Sequence, residues 1–72
     1  MLTRVVRPAI VGGAIVRVGD HEGLVHISEL GLSRVARTED AVNVGQVVEV
    51  QVIGADERGR LRFSRRAALS AG

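Results

Sequence analysis

The stretch Gln46–Ser64, QVVEVQVIGADERGRLRFS, decides how this chain folds. From Gln46 to Ile53 the side chains alternate, with Val48, Val50 and Val52 on one face and Val47, Glu49, Gln51 and Ile53 on the other. A period of two carried by β-branched residues predicts a half-buried strand. Gly54-Ala55-Asp56-Glu57-Arg58-Gly59 follows as a turn cluster with acidic and glycine punctuation. Arg60–Ser64 then alternates again, placing Leu61 and Phe63 inward and Arg60, Arg62 and Ser64 outward. The stretch therefore predicts a β-hairpin, and it assigns the chain's one aromatic ring, Phe63, to the core.

The same period extends upstream. Leu2–Val11 is β-branched but interrupted by Pro8, which has no N–H for a ladder, so the strand ends, bulges or lies at an edge there. Gly13–Val18 predicts a strand with Ala14, Val16 and Val18 inward and Ile15 and Arg17 outward. Gly19–Glu22 is a turn, and Gly23–Ile27 a third strand with Val25 and Ile27 inward and Leu24 and His26 outward. Residues 29–45 are less periodic. Within them Thr38-Glu39-Asp40 predicts a short helical turn, and Asn43-Val44-Gly45 a turn into the long strand. The segment from Arg65 to Leu69 reads as one helical turn or a frayed end. Five short strands, with an irregular segment after the third, predict an all-β, five-stranded antiparallel barrel, closed so that no valine-rich edge is left bare.

At 72 residues the chain is one domain, and a chain of this size buries only about 60% of the surface its unfolded form exposes. It has no cysteine, so hydrophobic packing must hold it without disulfides or thiolate metal sites. The 46% hydrophobic content, almost all Val, Ile, Leu and Ala, is ample for one modest core. All ten basic residues are arginine, set against eight acids; a high-GC genome would produce that bias as readily as a functional pressure. The net charge of +2 is too small to argue for a nucleic-acid partner. Position says more: Arg58, Arg60, Arg62, Arg65 and Arg66 form a local basic stripe suited to a phosphate backbone. No segment approaches the ~18 apolar residues of a membrane span, and Met1-Leu2-Thr3-Arg4 lacks the order of a signal peptide. A cytoplasmic protein with no membrane partner is expected.

Catalysis finds little support. His21 and His26 lie in one turn-and-strand segment, and a metal site would need a third ligand from Asp20, Glu22 or elsewhere at no recognised spacing. Ser28 beside His26 does not make a triad, which requires geometry across the fold. Gly12-Gly13 and Gly19 do not open a helix as a phosphate-binding loop does. Neither an enzyme nor a cofactor is expected.

Three motifs in order, Gly23-Leu24-Val25-His26-Ile27-Ser28, Val44–Val52 and Asp56–Ser64, resemble the S-one RNA-binding domain, which recurs in ribosomal protein S-one, polynucleotide phosphorylase and ribonuclease E. Val35-Ala36-Arg37 followed by Asp40 is nearest in pattern to the phosphorylase copy. The resemblance covers about residues 2–66. We take residues 1–66 as the domain and 67–72 as a C-terminal tail.

The resemblance implies a five-stranded antiparallel barrel of the OB type that binds single-stranded RNA on one face. Residue by residue, it implies binding roles for His26, Asp56 and Arg60; the hairpin reading leaves Asp56 equally as a turn residue. The family's two stacking aromatics do not carry over, because its Phe-Gly-Ala-Phe-Val pattern falls on Gly12-Gly13-Ala14-Ile15-Val16. Arg7–Val11 also lengthens the junction between the first two strands. By strand order Ile15, Arg17, Arg60 and Arg62 share the outward face with His26, and they complete the expected RNA-binding set. Arginine planes stack on bases and pair with phosphates, so they replace part of the lost platform.

The expected function is a non-catalytic single-stranded RNA-binding module, weak and with little base specificity, of an RNA degradation or translation protein. A larger RNA-processing or ribosomal assembly is the further partner implied. The alternative is an S-one fold with a degraded stacking face, serving as a protein-interaction or ribosome-docking module or as an engineered fold variant.

Overall fold

A computed structural model describes residues 1–71. Six strands form one sheet: β1 (Leu2–Pro8), β2 (Gly13–Val18), β3 (His21–His26), β4 (Val47–Glu49), β5 (Gln51–Ala55) and β6 (Leu61–Ser64). A 3-10 turn at Ile27–Glu29 follows β3, α1 (Thr38–Ala41) precedes β4, and α2 (Arg65–Ala71) follows β6. The spatial order is β4-β1-β2-β3-β6-β5.

This corrects the five-stranded antiparallel expectation in two ways. The stretch read as one long strand breaks at Val50, whose N–H donates to Met1 O (2.8 Å). Its first half pairs with β1 and its second with β6. The two ends of the sheet are thus neighbours in sequence, and the sheet curls until they meet at that residue. Secondly, β3 and β6 pair in parallel. The reason is topological: with β4–β5 counted as one bent strand the ring has five members, and an odd-numbered ring cannot alternate direction all the way round.

Much of the predicted local structure is present. The hairpin pairs β5 with β6, Gln51 opposite Ser64 and Ala55 opposite Leu61, with an irregularity at Ile53. β1 ends at Pro8 and bulges at Val6, where the register against β2 shifts. The helical turn at Thr38 is α1, and its Thr38 hydroxyl both donates to Gly13 O and accepts from Gly13 N–H, each at 3.1 Å. The expected tail is helical as far as Ala71; Gly72 lies outside the described residues.

The core gathers Val5, Ala14, Val16, Val25, Leu30, Val42, Val48, Val50 and Phe63, with Ile27 and Leu61 packed at its margin. Each fully buried side chain of this size contributes about 1.5–3 kcal/mol, so a handful of valines and one ring hold the domain. Phe63 is 1% exposed and lies over Gly23, where a Cβ would run into its ring. Val52, on the same face as Val48 and Val50 by alternation, pairs with Phe63 and shares its side of the sheet, but it is 46% exposed because the hairpin runs on past the covered core.

Candidate nucleic-acid interface

Cross-strand pairing builds the outer face row by row. Arg7 lies opposite Ile15, Ile15 opposite Leu24, and Leu24 opposite Arg62, so one row crosses β1, β2, β3 and β6. A second row runs from Arg4 through Arg17 to Glu22. His26 stands opposite Gly13, one row further along in the other direction. The alternation expected for β2 and β3 therefore holds, and it collects His26, Ile15, Arg17 and Arg62 on one side of the sheet.

His26 is exposed at the point where β3 gives way to the 3-10 turn, and it caps that turn. The Ser28 N–H donates to Nδ1 (3.2 Å), and Ser28 Oγ lies 2.9 Å from the same nitrogen. With Nδ1 accepting, a neutral ring carries its proton on Nε2, as a donor free to meet a phosphate or a base edge. Gly13 keeps this corner tight. It adopts φ +121°, and a Cβ there would overlap the Val25 carbonyl oxygen and stand 2.9 Å from His26 Cα.

Ile15 requires a correction. It lies off the core cluster and on the outer face as expected, yet it is only 5% exposed. The lengthened β1–β2 turn folds over it, so Ile15 floors a groove of about 210 Å³ walled by Arg7, Pro8, Ile10, Val11 and Arg60. The turn that hides Ile15 presents Ile10 and Val11 instead, 105% and 73% exposed. Sequence reasoning noted the longer junction but did not assign these two residues to the face. The available signal was a pair of β-branched residues after Pro8-Ala9 and directly before two glycines.

The arginines divide by partner. Glu22 accepts two bonds from Arg7 (2.9 and 3.1 Å) and one from Arg17 (3.2 Å). Hydrogen bonding from Arg7 is the main cause that holds the Glu22 carboxyl below its usual range, and the same bond raises the Arg7 guanidinium. Arg17 therefore reaches this face already paired. Arg60 and Arg62 are exposed and have no carboxylate partner among the described residues. Arg65 is half-buried and donates to Leu30 O (3.4 Å) and Ala41 O (3.3 Å), which makes it a structural tie, while Arg66 is exposed. The basic stripe of the sequence is thus split among several tasks.

Asp56 sits in the hairpin turn. Its Oδ1 accepts from Arg58 N–H (2.9 Å) and Arg60 N–H (2.8 Å), and Gly59 at φ +79° completes the turn. The carboxylate shapes the loop that carries Arg60 and leaves Oδ2 outside these bonds.

A sequence model of the S1 RNA binding domain matches residues 3–66. The chain is similar to polyribonucleotide nucleotidyltransferase of Gluconacetobacter diazotrophicus, 49% identical over 63 residues, which is 88% of this chain and 9% of that protein. The corresponding protein of Natranaerobius thermophilus is 47% identical over 68 residues, 94% of this chain and 10% of its own length. The chain thus spans about a tenth of these curated relatives. Among solved structures, GSP13 of Bacillus subtilis superimposes with a TM-score of 0.82 at 33% identity, covering 99% of this chain and 55% of that one. A chain of the a/eIF2alpha-aDim2p-rRNA complex of Pyrococcus horikoshii gives 0.79 at 30% identity, covering 92% and 41%. A match over nearly the whole chain, in sequence and in curled all-β fold, shows that it belongs to the S1 RNA-binding domain family.

Proposed function

We propose that the chain is a non-catalytic module that holds single-stranded RNA across the outer face of β2, β3 and β6. The observation that carries this reading is the pair of unpartnered guanidiniums, Arg60 and Arg62, on the side of the sheet where His26 stands exposed. Arginines supply phosphate contacts, His26 supplies a donor and a stacking ring, and Leu24, Ile10 and Val11 give apolar contact to bases. With Gly12 and Ile15 at the stacking positions, binding is weak and steeply salt-dependent, with little preference among bases.

Its similarity to a tenth of a polyribonucleotide nucleotidyltransferase supports a role as the RNA-holding part of a larger RNA-processing protein working in the cytoplasm. No helix among the described residues is long and apolar enough to cross a membrane. A second reading, a protein-docking module, is favoured by the covered Ile15 and by Val47, Val52 and Ile53, each more than 40% exposed along β4 and β5.

The deciding experiment is a fluorescence-anisotropy titration of an unstructured RNA against the parent, His26→Ala and Arg60→Ala. We expect binding at about 50 mM salt that weakens as salt rises, with each substitution lowering affinity. No binding by the parent at low salt would leave the docking reading, and binding unchanged by both substitutions would move RNA off this face.

A further inference from the structure

A cleft of about 790 Å³ opens between the chain following the 3-10 turn and helix α2. Ile27, Leu32 and Val35 give it apolar walls, while Ser28, Arg34 and Arg66 bring hydroxyl and guanidinium groups to it. Arg34 and Arg66 are both exposed, and neither has a carboxylate partner among the described residues. The neighbouring acids are committed elsewhere: Glu29 accepts from Ser64 Oγ (2.5 Å), and Glu39 and Asp40 flank Arg37 at 3.7 and 3.4 Å. No carboxylate lines the cleft, so the charged groups of its wall are the two guanidiniums. Its volume lies in the range that holds a ligand of nucleotide size or above.

Its position links it to the outer face. Ser28 lines the cleft, and Ser28 Oγ is 2.9 Å from His26 Nδ1, so the cleft begins where the His26 corner ends. We infer that an RNA strand crossing His26 continues into this cleft, with a phosphodiester held by Arg34 and Arg66 and a base laid against Leu32 and Val35. The inference rests on the RNA-binding reading of the outer face and lengthens its footprint. Two guanidiniums suit a phosphate, the apolar walls suit a nucleobase, and both requirements recur along a single strand. A free phosphate would use the arginines and leave the walls idle.

The test compares oligouridylates of about four and about twelve nucleotides, a short and a long length within the range of site sizes of one OB-type fold. The proteins are the parent, His26→Ala, the double variant Arg34→Ala/Arg66→Ala and the charge-keeping Arg34→Lys/Arg66→Lys. Matching thermal melts establish that the variants are folded. In the double alanine variant, affinity for the longer strand should fall about tenfold more than for the shorter one. Its slope of log affinity against log salt should be shallower by about 0.7, for the one phosphate the two arginines hold together, and the lysine variant should recover most of that slope. Equal losses for both lengths, or none, would overturn the extension. Parent binding that is equal for both lengths and lost in His26→Ala would also overturn it while leaving the outer face intact. A parent that binds neither oligonucleotide would remove both readings together.

Discussion

Asp56 and Arg60 close the β5–β6 turn on each other: Asp56 N–H donates to Arg60 O and Arg60 N–H donates to Asp56 Oδ1, both at 2.8 Å. The guanidinium at the edge of the groove is thus aimed by a carboxylate that need not touch a ligand. Asp56→Ala should cost about 1–2 kcal/mol from the two bonds lost to Oδ1. In a domain this small that lowers the melting temperature by roughly 4–8 °C per kcal/mol. Calorimetry reads it directly. Asp56→Asn, which keeps an acceptor oxygen, should lose less, and RNA affinity should follow the integrity of the turn.

Glu22 gives a pH signature. Its carboxyl titrates below the usual range in the folded state, because Arg7 and then Arg17 favour its charged form. A group depressed on folding stabilises the protein above its unfolded value, and that increment is lost as pH falls through the folded one. Urea unfolding of the parent should therefore weaken on acidification below the ordinary carboxylate range. Glu22→Gln should be less stable at neutral pH and should lack that part of the acid dependence. The same variant frees Arg7 and Arg17, so its RNA affinity at low salt should rise; a fall would show that the pair positions the face and does not restrain it.

Gly13 tests the corner behind His26. Alanine there meets a positive φ and the backbone of β3 at once. A loss of about 3 kcal/mol or more, or failure to fold, is expected for Gly13→Ala. Gly45→Ala, also at positive φ but with open space around it, should lose less. Denaturant midpoints of the pair separate steric overlap from backbone strain.

Arg65 and Arg66 are neighbours with opposite duties. Arg65→Ala removes the two bonds to Leu30 O and Ala41 O that tie α2 to the segment between β3 and β4, so stability should fall, by about 1 kcal/mol or more. Arg66→Ala should leave the stability within about 0.5 kcal/mol of the parent. Thermal melts of the two variants, run side by side, distinguish them.

What could be read from the sequence was whatever a period of two encodes. Alternation put Val25 and Phe63 inside, His26 and Arg62 outside, and predicted the hairpin and its turn. It did not show that Val50 breaks the long strand, because a bend of this kind leaves the alternation of Val48 and Val50 unchanged; only the choice of pairing partner differs. It also missed the cover over Ile15. Strand periodicity gives the face of a residue but not what a neighbouring turn lays upon it. The arginine stripe was legible as charge. Its partition depends on partners distant in sequence, such as Leu30 and Ala41 for Arg65.

The joint at Val50 bears on how the domain comes together. β1 finds one partner in the adjacent β2, but the other, β4, pairs Leu2 with Glu49, so most of the chain must be in hand before that seam forms. β6 likewise joins β3 across the intervening loop and both halves of the bent strand. Distant pairings of this kind slow folding relative to local ones. The meander β1–β2–β3 is therefore the natural early unit, and the closing seams come last. The residues proposed to contact RNA divide along the same line: His26 lies in the β1–β2–β3 meander, and Arg60 and Arg62 lie in and beside β6, which reaches β3 only through a distant seam. The complete binding surface comes into being only as the ring shuts, so a half-folded chain exposes a histidine without its arginines.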